Sequence, residues 1–158
     1  MSKDFKFRVA NIKDADEIAR LINLAFQAEF FIFGKDRIDP PGVRELFGKG
    51  AFVVAEHGAG FAGCVYVARR GEAGYIGLLS VDPSLQRAGL GLRLMAAAEQ
   101  QARAMGCVAL DLRIVSPRSQ PLLAFYKRLG YVERGTAQMA DDVTTNVPCH
   151  YILMSKSL

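Results

Sequence analysis

Residues 81–95 read VDPSLQRAGLGLRLM. The stretch passes from a strand end through a glycine-containing loop into a helix start. Gln86, Arg87, Ala88, Gly89, Leu90 and Gly91 make the loop, and residues 90–105 continue as a helix-compatible run. Glycine has no side chain, so the backbone at Gly89 and Gly91 can approach a ligand closely. A helix N-terminus adds about four unpaired N–H donors and roughly half a unit of positive charge. Together these features suit a phosphate or a diphosphate.

What the stretch lacks narrows the ligand. It contains no GxxxxGK[ST], so it is not a P-loop. The third glycine of a dinucleotide fingerprint would fall at Leu94, so that pattern fails as well. Val81, Pro83, Gln86, Gly89 and Gly91 instead satisfy V-x-P-x-x-Q-x-x-G-x-G. On these positions the sequence resembles the GNAT superfamily of N-acetyltransferases. The resemblance implies that the loop cradles the diphosphate of acetyl-coenzyme A (acetyl-CoA).

A second motif lies at residues 122–131, LLAFYKRLGY. It is similar to the family's helix-to-strand segment, in which the tyrosine points its hydroxyl at the thioester sulfur. Tyr126 occupies that position. Its chemistry fits the task, because transfer expels a thiolate and a phenol of pKa ~10 can protonate it. Many family members carry Asn seven residues earlier to contact the pantetheine arm. Ser119 stands there instead, a shorter side chain that can still cap the helix.

The rest of the chain supports one organisation. Phe5, Phe7 and Val9 alternate with Lys6 and Arg8, as in a half-buried strand. Asn11 and Asp14 mark a helix start, and Ile18, Leu21, Ile22, Ala25 and Phe26 follow at helical spacing. Residues 28–42 mix loop and helical pieces, and 43–47 suit a short second helix. Strands are expected at 50–56 and 60–68, joined by a turn, and at 75–81. Leu94, Met95, Ala98, Ala102 and Met105 form the apolar stripe of the next helix, with Glu99, Gln100 and Arg103 opposite. A strand at 108–115, a helix begun by Ser119 and Pro121, and strands at 131–134 and 148–154 complete the chain.

The element order is β-α-α-β-β-β-α-β-α-β-β. It predicts an α/β fold, a central mostly antiparallel mixed sheet of six to seven strands with helices on both faces. A cofactor is expected at the carboxyl end of the strand at 75–81, where neighbouring strands part. The GNAT fold has this order, so the resemblance extends over nearly the whole chain.

Composition bounds the alternatives. A chain of 158 residues fits a single domain, residues 1–158, long enough to bury a core. The net charge is +4, but basic residues never run beyond a pair such as Arg69-Arg70, so no nucleic-acid surface is expected. Cys64, Cys107 and Cys149 have no metal-ligand spacing, and no metal site is expected. No apolar run reaches the ~18 residues of a membrane span, and the start has no signal-peptide core. A cytoplasmic protein is the default expectation.

The resemblance implies direct transfer of acetyl from acetyl-CoA to a primary amine. It assigns the N–H of Leu79 to the thioester carbonyl and Val81 to the pantetheine amide. Gln86, Arg87, Ala88, Gly89, Leu90 and Gly91 would hold the diphosphate, with Ser119 and Tyr126 along the arm. Glu29 is the candidate general base, because it lies in the aromatic segment where family acceptors enter. The acceptor loops hold Phe26, Phe30, Phe31, Phe33 and Arg37, and Asp141, Asp142 and Asn146. The aromatic residues suit a small-molecule amine, or they pack on the core or on a second copy in a homodimer. A non-catalytic acyl-CoA-binding module and an acetyltransferase of protein N-termini or lysines remain open at this point.

Overall fold

The structure, a computed structural model, describes residues 5–86, 89–116 and 119–158, with the backbone alone at residue 119. The chain runs β1 (Lys6–Val9), α1 (Ala15–Ala25), α2 (Phe30–Phe33), α3 (Pro40–Phe47), β2 (Ala51–His57), β3 (Gly60–Arg70) and β4 (Ala73–Val81). It continues with α4 (Leu90–Ala104), β5 (Ala109–Ser116), α5 (Ser119–Arg128), β6 (Val132–Gln138) and β7 (His150–Ser157). The strands form one seven-stranded sheet in the order β1-β2-β3-β4-β5-β7-β6. Every neighbouring pair is antiparallel except β4 and β5. This is the mixed, mostly antiparallel sheet that the element order predicts.

The two-residue period of a strand sends alternate side chains to opposite faces. Val53, Ala55, Val65 and Val67 join Leu90, Leu94, Met95, Ala98 and Ala102 of α4 in one core. Phe52, Val54, Cys64 and Tyr66 join Ile18, Leu21 and Ile22 of α1 and Val43 of α3 in a second core. Helices therefore cover both faces, with α5 on the α4 side through Leu122, Phe125 and Tyr126. Gly63 sets how closely α4 approaches β3. A Cβ there would stand 2.6 Å from Leu94 Cδ1 and 2.9 Å from the Ser80 carbonyl oxygen.

Local chemistry explains the boundaries. Asn11 and Asp14 form a capping box: the Asn11 side chain accepts from the Lys13 N–H at 3.0 Å, and the Asp14 carboxylate accepts from the Asn11 N–H at 2.9 Å. A single 3-10 turn, Ile12–Asp14, then leads into α1. The second main helix begins at Pro40, not at 43. Asp39 caps it by accepting from the Gly42 N–H at 2.8 Å, and prolines are tolerated in a first turn.

Three expectations are corrected, two about side chains and one about a strand. Val9 is 50% exposed, because β1 is an edge strand and leaves one side of the sheet there open. Glu99 is buried instead of lying on an outer polar face. Lys156 of β7 reaches it, with Nζ 2.9 and 3.2 Å from its two carboxylate oxygens. The strand expected at 131–134 runs from Val132 to Gln138, paired with β7 except for an irregularity at Arg134.

Candidate active site

The site is built around β4. Along its β3 edge, β4 is paired from Ala73 to Val81. Along its β5 edge it is paired only at Ala73, Gly74 and Tyr75. Beyond Tyr75 the two parallel strands part, as expected at the carboxyl end of this strand. The β3 edge is also irregular. Cys64 pairs with Ser80 and Tyr66 with Gly77, so Leu78 and Leu79 together oppose Val65. A bulge of this kind leaves a residue out of the ladder and re-aims its neighbours. Leu78 has a φ of 55°, which is strained for a branched side chain. The Ser80 hydroxyl donates to the Leu78 carbonyl at 2.9 Å and braces the turn. The result sends Leu78 to the α1 face while Leu79 and Val81 pack on the α4 face.

A cavity of about 870 Å³ passes through this split. Its walls come from both faces: Gly89, Gly91, Leu122 and Tyr126 from the α4–α5 side, and Phe26, Glu29 and Tyr75 from the α1 side. Leu79, Val81, Gln86 and Leu90 also line it. Every candidate site residue with a described side chain therefore borders one cavity. Arg87 and Ala88 lie outside the described residues, and Ser119 is placed only as the first residue of α5.

The start of α4 carries the positive end of the helix dipole. Gly89 is its N-cap with φ 73°, a residue with no side chain to cap the helix. No acidic residue stands in the first turn. A Cβ on Gly89 would meet nothing within 4 Å, so glycine is required here by backbone conformation and not by crowding. The preceding turn is held by Asp82, whose carboxylate accepts from the Ser84 N–H at 2.9 Å and hydroxyl at 2.8 Å. Those bonds lower its pKa. Asp82 is thus a capping residue, in line with its position beside the motif.

Tyr126 is 8% exposed. Its ring is held edge-on by Phe125, centroids 5.0 Å apart, and by Tyr131 at 5.9 Å. Burial, with a smaller contribution from the Tyr75 phenol, pushes its pKa well above the ordinary tyrosine value. The phenol therefore keeps its proton, the form a proton donor needs. Tyr131 in turn donates to Glu99 at 3.4 Å, so the Glu99–Lys156 pair buttresses the aromatic stack.

On the other face, residues 26–29 form a 3-10 turn that leads directly into α2. Glu29 is 7% exposed and lines the cavity, so it is not a solvated loop carboxylate. Phe26 and Phe33 also line it, whereas Phe30 and Phe31 are half exposed on the outside. Asn146 ties the second acceptor loop to α2. Its backbone N–H donates to the Ile32 carbonyl at 2.6 Å and its side-chain amide to the Phe31 carbonyl at 3.2 Å. Asp142, Asp36 and Arg37 complete this wall. His57 packs on the Phe5 ring, centroids 5.4 Å apart, and His150 opens β7, both outside this cavity. Among the described residues no cluster of His, Cys, Asp or Glu could hold a metal, and no helix is long and apolar enough to cross a membrane.

The sequence profile described as the acetyltransferase (GNAT) family matches residues 16–131, from α1 through the end of the second motif. The chain belongs to the GNAT family. Solved structures of similar fold cover nearly all of this GNAT chain. The ribosomal-protein-S18-alanine N-acetyltransferase of Escherichia coli is 15% identical, with 98% of this chain and 94% of that one covered and a TM-score of 0.75. YncA of Salmonella typhimurium, solved with its cofactor acetyl-CoA, is 18% identical over 99% and 95% at 0.76. Nourseothricin acetyltransferase is 21% identical over 97% and 98% at 0.74. At these identities the likeness is one of fold. No curated protein matches the chain.

Sequence reading of this GNAT chain missed two features of the site. The Leu78 bulge carries no glycine at the strained position, and only the adjacent Gly77 hinted at it. Arg113 stands two residues from Asp111 on the same face of β5, but no ion pair joins them among the described residues. Its guanidinium instead lies 4.2 Å from the Tyr151 ring centroid, at the cavity wall. Cross-strand register with β7 makes that contact, and register is not readable from one strand's composition.

Proposed function

We propose that this GNAT protein, acting as a single domain, transfers the acetyl group of acetyl-CoA directly to a primary amine of a small molecule. The observation that carries the reading is the cavity through the β4–β5 split. A bare helix N-terminus stands on one side of it and a buried carboxylate on the other.

The residues fit acetyl-CoA. Main-chain N–H groups from Gln86 through Gly91 hold the diphosphate at the α4 dipole, and the Arg87 side chain adds charge there. Val81 pairs with the pantetheine amide, and Ser119 lies along the arm. Acetyl-CoA supplies an activated acyl thioester. The Leu79 N–H, turned by the bulge, donates to the thioester carbonyl, a placement worth roughly 3–4 kcal/mol for the growing negative charge. Tyr126 gives its proton to the departing thiolate. An alkyl amine has a pKa of about 10.4 and arrives protonated. Glu29 takes that proton and leaves the nitrogen lone pair for attack. Binding both reactants in one cavity supplies proximity.

A small-molecule acceptor is favoured because α2 and the loop held by Asn146 wall in the acceptor side. A panel of amines assayed for thiol release from acetyl-CoA tests the proposal. Release with at least one small amine, slowed in Tyr126→Phe and Glu29→Gln, is expected. Coenzyme A binding without release by any amine would make the protein a binding module. Release only with peptide amines would move the acceptor to proteins.

A further inference from the structure

We propose that a second cleft, lined by Arg70, Arg113 and Arg134, binds a carboxylate or phosphate carried by the acceptor amine. The proposal rests on the transferase reading above and adds the chemical class of the substrate.

The cleft has a volume of about 350 Å³, room for a small anionic group. Tyr75, Leu112 and Arg113 line both it and the main cavity, so the two adjoin. Arg113 and Asp111 occupy the face of β5 opposite Leu110, Leu112 and Ile114, which are buried under α4 and α5. On that opposite face α1 and α3 pack chiefly on β2, β3 and β4, so the β5–β7 surface stays open.

The charge there is lopsided. Three arginines face the cleft against one carboxylate, Asp111, and none of the three has an ion-pair partner among the described residues. Two of them converge on one ring. The guanidinium carbons of Arg70 and Arg113 lie 4.0 and 5.9 Å from the Tyr75 centroid. Arg113 also stacks on Tyr151, and Arg134 is anchored by its Nε donating to Ser155 Oγ at 2.7 Å. Like charges gathered this closely repel one another, and a bound anion turns that repulsion into attraction. A guanidinium stacked on a ring keeps its N–H edge for a planar or tetrahedral oxyanion. Glu29 on the cavity wall receives the amine, while the cleft receives the acid.

The test compares matched acceptors by thiol release: straight-chain alkylamines against amino carboxylates and amino phosphonates of the same chain length. The best acid-bearing amine is expected to show a KM roughly tenfold or more below its alkyl counterpart. Arg113→Gln and Arg70→Gln should erase that gap by raising KM for the acid-bearing amine alone. The carboxylate and phosphonate arms tell which anion is preferred. Equal KM values for acid-bearing and alkyl amines, or variants that raise both alike, would overturn the proposal. Calorimetry with glutarate and with inorganic phosphate gives a readout independent of turnover. Heat seen with the unaltered protein and lost in Arg113→Gln supports the cleft, and no heat overturns it. Absence of thiol release with every amine would defeat the transferase reading instead, leaving the cleft to be decided by these titrations.

Discussion

The two edges of β4 are used in opposite ways. On the β3 edge seven residue pairs run the length of the strand. On the β5 edge three pairs hold, and then the strands separate. The first edge sits between two apolar cores, one under α4 and one under α1 and α3. The second edge opens into a cavity, and beyond it the sheet face that carries Arg113 of β5 and Arg134 of β6 has little cover. Cohesion therefore resides in β1–β4, while the chemistry is assigned to the seam. Substitutions should separate the two properties.

The largest effect is expected at the seam. Tyr126→Phe keeps the ring and its packing against Phe125 and Tyr131 but removes the proposed acid. We expect kcat to fall about 10²- to 10⁴-fold with little change in thermal midpoint. Because burial raises the Tyr126 pKa above ~10, the phenol stays protonated at neutral and mildly alkaline pH. The ratio of the two kcat values should therefore be flat from pH 6 to about 9. A matching fall in stability would place Tyr126 with the core instead.

The cohesive half gives the converse. Leu94 is fully buried between α4 and β3. Leu94→Ala should cost about 2–5 kcal/mol in denaturant unfolding, while the folded fraction keeps its KM for acetyl-CoA. A large rise in KM at unchanged stability would break the division of labour across β4.

Gly89 lies where the two properties meet. Gly89→Ala introduces no clash, but a left-handed backbone costs a non-glycine residue roughly 1–2 kcal/mol. The free loop is expected to relax out of that conformation and must be restored to it on binding, so coenzyme A affinity should weaken about five- to thirtyfold, measured by calorimetry, without loss of core packing.

Much of this was legible in the sequence because the signals are local. Glycines at 89 and 91, the apolar stripe of α4, and the Asn11–Asp14 capping box each depend on neighbours a few residues away. The illegible parts depend on distant partners. Glu99 reads as a surface residue until Lys156 arrives from the far end of the chain. Val9 reads as core until β1 proves to be an edge. Arg70 and Arg113 look like scattered charges, and only the pairing of β4 with both β3 and β5 gathers them around Tyr75. Residues 40–42 read as loop because of their two prolines and glycine, and only the bond from the Gly42 N–H to Asp39 turns them into a first helical turn.

The smallest effect is expected furthest from the seam. Arg8 bonds to both Asp14 and Glu56, and its guanidinium lowers the Asp14 pKa. A carboxyl whose folded pKa lies below its unfolded value of ~3.9 contributes stability above that value and loses it as pH falls through the folded pKa. Asp14→Asn should therefore cost at most ~1 kcal/mol at pH 7. It should also flatten the acid-side loss of stability below about pH 4, with kcat and KM unchanged.

The central claim is that main-chain donors at the start of α4 grip a diphosphate. The most direct measurement is calorimetric titration with coenzyme A and, separately, with pantetheine, which lacks the diphosphate. The account predicts saturable one-to-one binding of coenzyme A, at least roughly tenfold tighter than pantetheine. No heat with coenzyme A, or equal affinity for the two, would contradict it.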